Sequence, residues 1–141
     1  MKRIVSPKSS GMDYSTFYTE LGRLAYAVAR ADGLVQTEEV DKICEFIGQE
    51  IENTGSASHN LREAVLGAGA EFNRLRKNNA SAREAFTDFT GYLNSNVSVF
   101  DTRIKNLCLK VAFRIASANE GVNETESALI DKLKKKLESI N

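Results

Sequence analysis

Four carboxylates are spaced for metal chemistry. Asp32 and Glu39 lie in Ala29-Arg30-Ala31-Asp32-Gly33-Leu34-Val35-Gln36-Thr37-Glu38-Glu39, and Glu120 and Glu126 in Ala116-Ser117-Ala118-Asn119-Glu120-Gly121-Val122-Asn123-Glu124-Thr125-Glu126. An acid, a glycine, a hydrophobic residue two further on and a closing glutamate match the second half of an EF-hand loop. The first half is missing, because the positions that should supply its first two carboxylates hold Val28 and Arg30 in one stretch and Ile115 and Ser117 in the other. A regular Ca²⁺ loop is thereby excluded. What remains is an oxygen-only donor set, suited to weak, partly hydrated Mg²⁺ or Ca²⁺. The same residues also suit helix ends: Asp32, Asn119 and the glycines tolerate left-handed backbone, and glutamates in a first helical turn favour the helix dipole.

Other chemistries find no residue set. His59 is the single histidine and sits in a Gly/Ser/Asn-rich stretch, and no CxxC pair exists, so a Cys/His zinc site lacks ligands. Cys44 and Cys108 fall on apolar helical faces, where buried reduced thiols are expected. Gly67 and Gly69 form only a GxG inside a helical pattern, which indicates close helix packing and not a phosphate loop. No GxSxG elbow or Cys-His pattern points to nucleophilic catalysis. The net charge is zero, which argues against nucleic acid despite the basic runs Arg74–Lys77 and Lys132–Lys136. The charge is unevenly spread, however: between Ala31 and Glu52 seven acids face Lys42 alone, so an acidic surface is expected there.

The elements that must position these residues are helices. Ala31 and Ala118 are 87 residues apart, and that offset also pairs Ala25/Ala112, Ala29/Ala116, Val35/Val122, Glu39/Glu126 and Ile43/Ile130, with Leu24/Val111, Tyr26/Phe113 and Val28/Ile115 similar. This is an internal duplication. Three-and-four spacing of apolar residues predicts six helices: Tyr14 to Val28 as one buried stripe with Asp13 or Ser15 as N-cap, then Val40 to Ile51, Leu61 to Leu75, Ala82 to Leu93, Ile104 to Ile115 and Leu129 to Ile140. Leu61, Val65, Ala68, Phe72 and Leu75 should all face inward, and Ser81 with Glu84 makes a capping box. Val97-Ser98-Val99 is too short an alternation to count as a strand. The expected fold is an all-α, single-domain bundle at 13–141, in which two pseudo-symmetric hairpins flank a central helical pair. Residues 1–12 read as a flexible tail. No stretch reads as a signal peptide or a membrane span, so direct membrane insertion is not expected.

The two turns share an Ala-x-Ala-acidic-Gly helix exit, a hydrophobic residue and a glutamate opening the next helix. The pattern resembles the tellurite-resistance TerB family across both repeats, about 21–51 and 107–137. The first copy fits through Ala31, Asp32, Gly33, Val35 and Glu39; the second departs at Asn119 and at Glu120, inserted before Gly121. The resemblance implies a compact helical domain of stress-response and tellurite-resistance systems, without a catalytic centre, that binds divalent cations through its acidic residues. The expectation is therefore a non-enzymatic cytoplasmic scaffold or sensor that offers an acidic helix surface to a protein partner and holds Mg²⁺ or Ca²⁺ weakly at Asp32, Glu39, Glu120 and Glu126. The alternative is a metal-dependent hydrolase using the same carboxylates. The oligomeric state is left open.

Overall fold

The computed structural model describes residues 13–31, 33, 35, 37–53, 61–117 and 124–140, with the side chains of Thr37, Glu38, Glu124, Thr125 and Glu126 excepted. The N-terminal stretch 1–12 lies outside the described residues, as do most of the two acidic turns. Among the described residues six α-helices follow one another: α1 Tyr14–Ala31, α2 Thr37–Asn53, α3 Leu61–Lys77, α4 Ala82–Ser95, α5 Thr102–Ser117 and α6 Glu124–Ser139, with a 3-10 turn at Val97–Val99. The fold is an all-α bundle, and no strand occurs among the described residues.

Local chemistry sets the helix ends. Asp13 caps α1, its carboxylate accepting from the Thr16 amide at 3.4 Å and the Thr16 hydroxyl at 2.9 Å. Ser81 and Glu84 form the reciprocal capping box of α4. Asp101 caps α5 through the Ile104 amide at 3.0 Å. At the end of α3, Asn79 adopts φ +52°, while the Ala80 amide donates to the Leu75 carbonyl and the Asn79 amide to the Arg76 carbonyl. This is a Schellman closure with asparagine in the left-handed position. The Tyr26 hydroxyl then donates to the Ala80 carbonyl at 2.7 Å, tying α1 to that closure.

α1 is the hub. It packs on α3, α4, α5 and α6, and every residue from Leu24 to Ala29 is buried. A single stripe was expected; from Glu20 to Ala29 every residue but Arg23 is instead buried, because the alanines and Gly22 let neighbours close in on several faces at once. A Cβ added to Gly22 would come within 2.8 Å of the Ala68 Cα and carbonyl carbon, so α1 and α3 cross almost backbone to backbone. Close packing also accounts for Gly69, where an added Cβ would meet the Cys44 Sγ at 2.8 Å. Leu61 departs from expectation: it is 41% exposed, and Ala64 takes an inward place in the first turn of α3.

The duplication is visible in burial and in packing. Ala25/Ala112, Leu24/Val111, Val28/Ile115 and Ile43/Ile130 are all buried. The repeats engage reciprocally, since α6 lies on α1 as α2 lies on α5. The central pair breaks this symmetry: α3 packs on α1 and α2, and α4 on α1.

Candidate functional site

The first acidic turn begins where α1 ends. Gly33 has φ +134°, a conformation closed to most side chains, and its amide donates to the Arg30 carbonyl at 3.0 Å. Arg30 in turn donates from Nη1 to the Gly33 carbonyl at 3.3 Å. A guanidinium thus occupies the turn at the position where an EF-hand loop would carry a carboxylate. Of the four carboxylates expected to form a cation site, Glu39 is half-buried in the first turn of α2. Asp32, Glu120 and the side chain of Glu126 lie outside the described residues. Among the described residues no cluster of three or more His, Cys, Asp or Glu is placed to hold a metal ion.

The acidic face of α2 is formed. Ile43, Ile47 and Ile51 are buried, which turns Asp41, Glu45 and Glu52 outward as one exposed row along the helix. Glu50 lies off that row and accepts from Arg114 of α5 at 3.1 Å, while the Arg114 guanidinium sits 4.5 Å above the Phe46 ring. The cysteines are free: Cys108 is buried, which pushes its thiol up to about 12, and half-buried Cys44 is raised by burial and by Asp41.

A third constellation escaped the sequence reading. Glu20, Arg23, Glu71 and Arg74 form a network where α1 meets α3. Arg23 donates from Nη1 to Glu20 Oε2 at 2.9 Å, and from Nε and Nη2 to Glu71 Oε2 at 2.9 and 2.7 Å. Arg74 reaches both Glu71 oxygens at 2.9 and 2.8 Å. Both carboxylates are 7% exposed, yet their surroundings push them apart. Burial raises Glu20 to about 7; Arg23 opposes this, and Glu71 and Asp88 add to it. Burial also lifts Glu71, but hydrogen bonds from Arg74 and Arg23 outweigh it and hold the group below the usual carboxylate range. Glu20 Oε1 is buried without a hydrogen-bond partner among the described residues. From α4, Tyr92 shares this environment; burial and the nearby Glu20 raise its phenol. The signal in the sequence is slight: Glu20 and Arg23 are two of only three charges in the eighteen residues of α1.

The described surface also carries depressions along two helix seams. An open cleft of about 540 Å³ runs along the α1–α3 seam past Ser15, Thr19, Glu63 and the exposed Leu66. Along the α2–α5 seam, hollows of about 310 and 120 Å³ share Glu50 and Lys110, and Phe113 stands there 54% exposed. No helix among the described residues is long and apolar enough to cross a membrane.

No curated protein and no solved structure matches the chain. The family comparison does match: the model of the tellurite resistance protein TerB covers residues 19–139, from the first turns of the hub helix to the end of α6. Because that match spans nearly the whole chain, the chain belongs to the TerB family.

Proposed function

We propose that this TerB domain is a non-enzymatic binding module, a scaffold or sensor in a cytoplasmic stress-response assembly of the tellurite-resistance kind, with the outer face of α2 as its docking surface. The observation that carries this reading is the exposed row Asp41, Glu45 and Glu52, held on a helix whose opposite side is anchored by three buried isoleucines. Fixed charges of one sign on a rigid support steer and orient a basic partner. The two free thiols suit a reducing compartment. The test is affinity capture from the native lysate at low and high salt. Capture should fall as salt shortens the screening length below about 8 Å, and should be lost on reversing Asp41, Glu45 and Glu52 to lysine. Capture indifferent to both changes refutes the reading.

The acidic turns add a weak site for a hard cation, with Asp32 and Glu39 from one turn and Glu120 and Glu126 from the other. Their oxygen-only donors suit Mg²⁺ or Ca²⁺, and the Arg30 guanidinium in the first turn opposes tight binding. Calorimetry with both ions should give heat on the wild type, none on Asp32→Asn with Glu39→Gln, and tighter binding on Arg30→Ala. Absence of heat and of any melting shift at millimolar ion removes the site.

A further inference from the structure

The internal repeat exposes a face that has lost its cover. The residues of α1 that meet α3 have counterparts 87 positions on: Gly22 with Leu109, Arg23 with Lys110, and Tyr26 with Phe113. On α1 all three are engaged. Gly22 touches the Ala68 backbone, Arg23 binds Glu71, and the Tyr26 ring meets Phe72 edge-on at 5.4 Å. On α5 the same positions line the hollow of about 310 Å³ beside α2. Tyr26 is 1% exposed and Phe113 54%, although Leu24/Val111, Ala25/Ala112, Val28/Ile115 and Ala29/Ala116 are buried in both helices. Lys110 is exposed and has no carboxylate at ion-pair distance among the described residues.

We propose that a helix of a partner protein docks on this face of α5 much as α3 docks on α1, setting a carboxylate against Lys110 and an apolar side chain against Phe113. A helix fits better than an extended segment. The seam is walled by two α-helices whose backbone groups are already paired, so a strand would find no backbone partners there, whereas a helix satisfies its own. The acid requirement follows from charge: Arg103 and Lys110 line the seam with Arg114, and Glu50 is already held by Arg114. Phe113, exposed in the same hollow as Lys110, supplies the anchor contact. Leu109 stands where Gly22 stands on α1, so the docked helix rides farther out than α3 does. This surface is separate from the α2 row, and the module would then join an acidic partner to a basic one.

The test uses the whole chain and a synthetic alanine-rich helix of about 18 residues carrying adjacent glutamate and phenylalanine, with a lysine-phenylalanine twin as control. Amide shifts on titration should map to Asn53, Asn106, Lys110 and Phe113, with Phe113→Ala weakening the glutamate peptide by about tenfold or more. Lys110→Glu should lose the glutamate peptide and gain the lysine twin; both positions are exposed, so the variants keep the core. Shifts absent at millimolar peptide, or equal binding of the two peptides to the wild type, overturn the proposal. Sedimentation of the chain alone is the remaining arm: a dimer that Phe113→Ala dissolves would assign the face to a second copy and likewise overturn it.

Discussion

At the residue scale, Glu20 has the largest consequence for behaviour in solution. Its carboxyl is raised from 4.5 to about 7 in the fold, so the folded protein binds a proton that the unfolded chain has released across that window. Stability from this group is complete below about pH 4.5 and is lost as pH rises toward 7. The size is about 3 kcal/mol, from the width of the shift. Glu71 acts oppositely: its depressed pKa contributes stability above the ordinary carboxylate value that is lost as pH falls through the folded one. Urea unfolding of the wild type should therefore show falling stability between pH 5 and pH 8, and Glu20→Gln should flatten that slope. Identical slopes in the two proteins would show that Glu20 titrates as an ordinary glutamate. This group was illegible in the sequence because its environment is assembled from afar. Arg23 is visible three residues on, but Glu71 arrives from a helix 48 residues away from Arg23, and burial itself leaves no mark on one residue's type.

Among the elements, the helices were readable and their surroundings were not. Periodic apolar residues placed all six, and Ser81 with Glu84 announced the capping box that starts α4. The N-cap of α1, left between two residues, is Asp13. What pattern reading missed was how many faces α1 buries, since alanine and glycine carry too little hydrophobic weight to declare a face buried. Leu61 was misplaced for the converse reason: a large apolar residue in phase with a stripe was read as inward, though it opens the helix at the bundle's edge and Ala64 packs there. The α1–α3 crossing depends on one absent methyl group. Gly22→Ala should cost about 1–3 kcal/mol in chemical denaturation, despite the better helix propensity of alanine, because the obstacle is the backbone of α3. Gly91→Ala is the control: no described residue lies within 4 Å of its added Cβ, so propensity alone acts and the protein gains about 1 kcal/mol. Equal effects at both glycines would refute the close crossing.

For the whole molecule, the duplication is a plan only partly kept. Two repeats of one pattern cross-pack as α6 on α1 and α2 on α5, yet the inserted pair α3–α4 serves mainly the first repeat. The candidate cation turns follow the duplication's offset, and most of their residues lie outside the described ones. The open face of α5 was not legible in the sequence, because Phe113 matches Tyr26 in kind and only the packing separates them. The enclosure of α1 has a further consequence, in the order of events as the chain is made. Four of the five other described helices must be present before the first is fully covered, and α1 waits for α5 and α6, which begin only at Thr102 and Glu124. Contacts so distant in sequence slow folding and delay it until most of the chain has been synthesised. Hydrogen exchange should show this directly: amides from Leu24 to Ala29 exchange only through global unfolding, at a rate set by total stability, while those of α6 exchange earlier by local opening. An early-exchanging α1 would mean that its cover comes away in pieces. If it does not, the helix that leaves the ribosome first among the six is the last to be sealed from water, and until then its apolar faces depend on whatever holds nascent chains apart.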